Sequence, residues 1–278
     1  MMSRLLRHPT ALAGICILAA VLVMALAAAV LAPYDPFQTD LGGSLRGPST
    51  DHIFGQDRLG RDIFSQVLYG ARASTLVAVA VVLLTVLAGT ALGAAAGYFG
   101  GAVDMTLMRL VDILLAFPGI LLAIALAGVL GPNLWNIVLA LSVLGWTGYA
   151  RLVRAQFLSL REREYVQAAR AVGAGPVRIM GLHILPNALS PVIVQATFSA
   201  AGIIIAESSL SFLGLGPQDV PTWGGLLAQG ANYLVYAPHI AFFPGLFIML
   251  TVLALNLVGD ALRDLFDPRS RPDAGRSF

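Results

Sequence analysis

Two carboxylates, Asp112 and Glu207, lie within or beside apolar runs of this sequence. A carboxyl group at membrane depth commonly couples transport to protons or ions. Their positions decide whether these two can do so. If the run containing Glu207 begins near Ala188, Glu207 lies nineteen residues along it, about 28 Å at 1.5 Å per residue. That places it near the outer edge of a bilayer. Asp112 falls at the inner end of the run 110–131, one turn from Arg109, with which it can pair. Neither is expected at the bilayer centre, where a carboxylate costs about 2.5–3.5 kcal/mol. An ion-coupled secondary transporter, which needs a buried relay, is therefore the second reading of the chain.

Other reactive groups give less. His8, His52, His183 and His239 are scattered without HExxH or metal-ligand spacing. No nucleophile elbow of the G-x-S-x-G type occurs. All seventeen basic residues are Arg, which removes the P-loop lysine and any Schiff base. Cys16 is the single cysteine and can form no internal disulfide. The chain is expected to have no catalytic residue, cofactor or bound metal, so energy for any pumping must come from another chain.

The elements that hold these residues are apolar helices. The sequence is 58% hydrophobic and 12% charged, with mean hydropathy +0.81, whereas soluble domains carry roughly a quarter charged residues. Apolar runs cover about 11–32, 75–98, 110–131, 134–150, 188–213 and 240–260. Each approaches the roughly 20 residues that a spanning helix needs. The fold class is thus all-α polytopic membrane protein with six transmembrane helices. Arg4 and Arg7 before the first run resemble a signal peptide, but 22 unbroken residues from Ala11 to Ala32 exceed a signal core of about 7–15. An uncleaved helix is expected.

Arginine counts orient the spans. With the N-terminus inside, thirteen of the seventeen arginines fall on inner segments, and only Arg46, Arg58, Arg61 and Arg72 fall outside. Both termini and the stretch 151–186 are then cytoplasmic, and the loops 33–73 and 214–239 face outward. Gly89, Gly93 and Gly97 recur every fourth residue and lay a smooth stripe along the second span, where another helix can approach closely. Gln195 and Asn256, also at membrane depth, should hydrogen-bond to neighbouring helices, and both are read as structural rather than as substrate sites. Ahead of the second span, Gly60-Arg61-Asp62 is expected to anchor the outer loop, its charged pair offered to a neighbouring segment or to a partner.

The cytoplasmic stretch Arg161 to Pro186 is the natural grip for a soluble partner. On a helix, Tyr165, Ala168, Ala169 and Val172 fall at i, i+3, i+4 and i+7 and form one apolar face whose alanines permit close approach, while Arg163, Gln167 and Arg170 line another. Gly173 and Gly175 can terminate that helix, and Pro176 can open a second one directed at the membrane.

Gln167-Ala168-Ala169, Gly173 and Leu185-Pro186 together resemble the EAA loop of ATP-binding-cassette importer permeases. FGQDRLGRDIFSQVLYGARAST at 54–75, ESSLSFLGLG at 207–216 and NLVGDALRDLFDPR at 256–269 are similar to blocks of the dipeptide, oligopeptide and nickel branch. Two departures stand out: Gln167 replaces the general Glu, removing a charge, and His183 replaces Ile. The resemblance implies a MetI-like permease core with an extra N-terminal helix. Residues 1–70 form that helix and an outer loop, 71–262 a five-helix core with coupling loop 151–186, and 263–278 a cytoplasmic tail. It implies ATPase contacts at Tyr165, Gln167, Ala168, Ala169, Val172, Gly173, Leu185 and Pro186. It also implies a homologous second permease subunit, two ATP-binding cassette ATPase subunits and an extracytoplasmic substrate-binding protein in a bacterial cytoplasmic (inner) membrane. The contents of that system would be peptides, nickel complexes or related small solutes, carried by alternating access. Lipid surrounds the chain, and no nucleic acid is implied.

The arginine asymmetry makes a direct prediction. With Cys16 replaced, single cysteines at Thr50 and Asn232 should react with an impermeant thiol reagent in intact cells, and those at Glu164 and Asp273 should react only after the membrane is opened. Labelling of position 164 in intact cells would overturn the orientation.

Overall fold

The computed structural model describes residues 9–266; Arg4, Arg7, His8, Arg269, Arg271, Asp273, Arg276 and the end of the 256–269 block lie outside the described residues. Nine helices of eight or more residues organise the described chain. They are α1 (Pro9–Leu26), α2 (Ile63–Phe99), α3 (Gly101–Leu115), α4 (Gly119–Leu130), α5 (Leu134–Leu160), α6 (Glu164–Ala171), α7 (Leu185–Phe212), α8 (Trp223–Ala231) and α9 (His239–Phe266). α1, α2, α5, α7 with its preceding turn, and α9 are each long and apolar enough to cross a membrane, and α3 with α4 make a bent sixth candidate.

α2 starts twelve residues before the apolar run expected for the second span. Asp62 caps it, accepting a 2.7 Å hydrogen bond from the Ser65 amide, as an N-cap carboxylate does. Its first three turns lie in protein rather than lipid: Ile63, Val67 and Ala71 are packed against Trp223, Leu226 and Ile240. Hydropathy misses them because Ser65, Gln66 and Arg72 dilute the run. About 18 Å of α2 therefore stands in a separate subdomain, the outer one by the side expected for it from the arginine count.

The third run is not one helix. α3 and α4 meet at an 82° bend around Ala116, Phe117 and Pro118. Proline has no amide to donate and disfavours helical backbone in the residue before it, so Phe117-Pro118 breaks the run.

α2 and α5 pack at backbone distance. A β-carbon built on Gly89 would lie 2.5 Å from the Trp146 carbonyl, one on Gly93 would collide with the Ala150 carbonyl, and one on Gly97 would lie 2.6 Å from Phe157 Cβ. The partner numbers rise together, so the two helices run parallel, and the bent α3–α4 pair supplies the return crossing. α1 is antiparallel to α9: Gly14 abuts Ala254 and Leu257, while Val21 and Ala25 share a cluster with Ile240 at the other end. Gly259 likewise sits against Thr197 and Phe198 of α7. The start of α1 and the ends of α5 and α9 are thus on one side.

Gln195 and Asn256 do not bond across helices. Gln195 Nε2 reaches only Ser199 Oγ, at 3.4 Å, and Asn256 Nδ2 donates to the Val252 carbonyl of its own helix at 2.9 Å.

The tight α2–α5 contact predicts that Gly93→Leu lowers the thermal stability of the purified protein sharply, because overpacking costs about 1–3 kcal/mol where neither backbone can yield. Ala91 is exposed, so Ala91→Leu should leave the melting temperature unchanged. Equal melting of the two variants would show that the stripe does not hold α5.

Candidate coupling surface and outer clamp

α6 is a short helix held by one side. Val166 is fully buried and Ala169 nearly so, in a cluster with Val153 and Phe157 of α5, Ile179, Ile184, and Ala188 and Val192 of α7. Tyr165, Gln167, Ala168 and Val172 are exposed. The four-residue apolar face expected from spacing is therefore split: Tyr165, Ala168 and Val172 remain open, while Ala169 turns inward. The signal overlooked was Val166, which pairs with Ala169 at i+3 and is larger and more apolar than either alanine.

The helix ends as its glycine requires. Gly173 adopts φ +82°, and its amide donates to the Arg170 carbonyl at 2.9 Å while that of Ala174 donates to Ala169 at 3.0 Å, a left-handed helix stop. Pro176 starts the next turn, a wide π-type segment covers Ile179–Ile184, and Leu185 and Pro186 open α7. With Gly175, Val177 and Leu182 exposed beyond it, the open face of α6 belongs to a larger apolar surface.

Three contacts tie α6 to the spans. The Arg170 guanidinium lies over the Tyr98 ring at 5.6 Å, at the end of α2, a cation–π arrangement. Tyr165 Oη accepts a long bond from Asn187 Nδ2 at 3.4 Å. Val166 and Ala169 supply the third contact, packing on Ile179 and Ile184. Nearby, Arg161 Nη1 donates to the Gly97 carbonyl at 3.0 Å. Arg154 chelates Asp104 through both nitrogens of its fork, and Arg151 pairs with Asp112 at 2.6 Å. Asp112 thus takes Arg151 of α5 rather than Arg109. The residues Tyr98 and Asn187 were not legible as partners of α6, since 72 and 22 positions separate them from Arg170 and Tyr165.

On the opposite side, the outer block folds into a clamp. Gly60 has φ +72°, and a β-carbon there would collide with the Asp40 carbonyl. Arg61 Nε donates to Asp57 Oδ2 at 2.7 Å and Nη2 to Gln229 Oε1 at 2.8 Å. Asp62 accepts from the Ser65 amide and hydroxyl, both at 2.7 Å, and lies 2.9 Å from His52 Nδ1. Arg61 and Asp62 thus bind separate partners within the chain. Asp57 and Asp62 are buried, which is not the state of a solvated charge run. Beside them Arg61, Gln66, Gln218, Thr222 and Gln229 line a cavity of about 220 Å³.

Glu207 lies near the outer end of α7 but inside protein. It is fully buried and accepts from Ser74 Oγ at 3.0 Å and Ser211 Oγ at 2.8 Å. Ser74 on α2 makes it a strut between two helices. Among the described residues no group of three His, Cys, Asp or Glu side chains is placed to hold a metal ion.

Residues 89–272 match the sequence profile of the family described as binding-protein-dependent transport system inner membrane component. Residues 1–48 match the N-terminal TM domain of oligopeptide transport permease C. The chain is 42% identical to the dipeptide transport system permease protein DppC of Alkalihalophilus pseudofirmus, over 96% of its length and 88% of the relative's. It is 43% identical to the glutathione transport system permease protein GsiD of Pectobacterium atrosepticum, over 96% and 89%. Its fold is similar to that of a chain in inward-facing structures of the MetNI methionine ABC transporter, with TM-score 0.59 and 18% identity, covering 74% of this chain and 98% of that one.

The clamp predicts that Arg61→Ala, which takes the guanidinium from the buried Asp57 carboxylate and leaves it only neutral donors, destabilises the outer subdomain by about 2 kcal/mol, seen as a lower melting temperature and faster proteolysis of the 33–62 loop. Arg46 is exposed, and Arg46→Ala should change stability by less than about 0.5 kcal/mol. Two silent variants would reduce the clamp to surface decoration.

Proposed function

The chain belongs to the binding-protein-dependent transport system inner membrane component family, and from that membership we propose that it is the transmembrane permease subunit of an ATP-driven importer of peptides or related small solutes. The observation that carries this reading is the identity above 40% to dipeptide and glutathione permeases over nearly the whole chain. A homologous second permease, two ATPase subunits and an extracytoplasmic binding protein complete the importer. The chain itself breaks no bond of the solute. Both termini and the segment 151–186 lie on the cytoplasmic side, and the outer clamp faces the binding protein.

The mechanism follows from how α6 is held. Its buried side makes it one body with the inner ends of α5 and α7, and its open side offers Tyr165, Ala168 and Val172 to a groove in the ATPase. Closure of the ATPases on ATP displaces α6. The displacement reaches α2 through Arg170 and Tyr98 and reaches α7 through Ile184 and Asn187. Because α2 and α5 share a backbone contact too close for sliding, they move together, and the cavity between the two permeases opens alternately to either side. Gln167 makes only a 3.2 Å bond to the Glu162 carbonyl, leaving its amide oxygen for the ATPase in place of a carboxylate. Gly89, Gly93 and Gly97 hold the moving body rigid, and Gly60, Arg61 and Asp62 fix its outer end.

Ala168→Glu places a carboxylate in the docking face and should abolish co-purification of the ATPase and ATP-dependent uptake, while the permease keeps its yield and melting temperature, since burying an unpaired charge opposes docking. Ala169→Glu should instead lower the permease's own melting temperature. Full uptake and normal ATPase recovery with Ala168→Glu would remove α6 as the coupling element. Uptake that persists with hydrolysis-dead ATPases would favour an ion-coupled carrier.

A further inference from the structure

The uncovered helix faces of this bundle sort by polarity. α2 exposes Leu76, Val79, Leu83 and Leu87, and α9 exposes Phe242, Met249 and Leu253, as surfaces against hydrocarbon must. α7 differs. Asn187, Gln195 and Gly202 are exposed and Ser199 and Ser209 half-buried. At about 100° per residue these positions fall within roughly one third of the helix circumference.

Asn187 reaches Tyr165 of α6 at the start of the stripe, but among the described residues no other helix hydrogen-bonds to Gln195 or packs on Gly202. Gln195 bonds only to Ser199 on its own helix, at 3.4 Å, and a β-carbon built on Gly202 would meet nothing within 4 Å. Pro191 brings no N–H to the carbonyl of Asn187 four residues earlier, adding an acceptor on the same side. Behind the stripe, the Tyr149 hydroxyl of α5 adjoins Ser199. It is buried and has no hydrogen-bond partner of good geometry among the described residues. Tyr149 lies outward of Arg151 and Arg154, so these groups are within the span. An amide, hydroxyls and a free carbonyl at that depth are disfavoured against lipid. Small residues leave room beside them for water, and water satisfies all of them at once.

We infer that this side of α7 is a wall of the solute path. Gln195 and Ser199, with Tyr149 behind them, are the groups that hydrogen-bond the amide and carboxylate groups of a passing peptide-like solute. The inference rests on the permease reading and goes beyond it by assigning the wall. Gln195 and Ser199 are specificity residues here, and the Tyr149 hydroxyl, unpartnered among the described residues, lies behind them.

The test uses the assembled transporter with Cys16→Ser as background, reconstituted in nanodiscs so that both faces meet solvent. Gln195→Cys, Ser199→Cys and Gly202→Cys are exposed to a sulfonate-bearing methanethiosulfonate, which attacks only hydrated thiolates; Thr50→Cys and Leu87→Cys are the hydrated and lipid-facing controls. All three wall positions should react in the nucleotide-free or the vanadate-trapped state, with a clear change in rate between the states, while position 87 stays unreactive in both. Ser199→Cys changes one atom and secures the test against failure to assemble. Silence at all three positions in both states overturns the inference: labelling by a hydrophobic maleimide would then put the face against lipid, and cross-linking to the second permease would put it in a helix interface. ATP-dependent dipeptide uptake by the same variants in sealed proteoliposomes separates the two failures, because intact uptake with silent cysteines sinks the wall alone, and uptake independent of ATP sinks the permease reading.

Discussion

The fold depends on the approach of α2 to α5 across Gly89, Gly93 and Gly97. With no side chain on these residues, the carbonyls of Trp146, Ala150 and Arg154 come within contact distance of the α2 backbone. In lipid, where apolar side chains gain little by leaving one surface for another, such close packing is a main source of helix association. Because the two helices run parallel, the segment 100–133 must return across the bilayer between them. That requirement explains why the bent α3–α4 pair is retained although neither half is long enough to span alone.

The arginines at the inner end of α5 stabilise that return. Arg154 and Arg151 hold Asp104 and Asp112, carboxylates about 12 Å apart along α3, although the arginines are only about 4.5 Å apart along α5. α3 therefore crosses α5 obliquely, near the membrane surface. Its single buried residue, Val111, fits an element placed by ion pairs more than by a core. At the other end, α2 continues into the outer subdomain and is held by Trp223, whose indole N–H donates to the Val67 carbonyl at 3.0 Å. One helix thus links the two ends of the bundle rigidly.

The coupling element shows how a short polar helix gains a fixed position. α6 is only eight residues long, too short to be stable by propensity alone. Val166 and Ala169 anchor it to the ends of α5 and α7, and Arg170 lies over Tyr98. What remains outside is an apolar surface that its own chain leaves open. The same accounting applies to α7, whose Gln195 and Gly202 meet no other helix among the described residues.

The sequence by itself determined the membrane class, the all-α fold and most of the helix inventory, because hydropathy and period are local properties. It also determined the helix stop at Gly173, the start at Pro176 and the small-residue stripe on α2, each set by residue geometry alone. Phe117-Pro118 was a legible break that a hydropathy average concealed. Only the tertiary structure decided that α2 reaches into the outer subdomain and that Ala169 faces inward while Ala168 faces out. It also separated Arg61 from Asp62, gave Asp112 to Arg151 and buried Glu207 under Ser74. The physical reason is the same in each case: on a helix, spacing defines which residues share a side, but which side is covered is set by residues far away in the chain, and an ion takes whichever opposite charge the packing brings within reach.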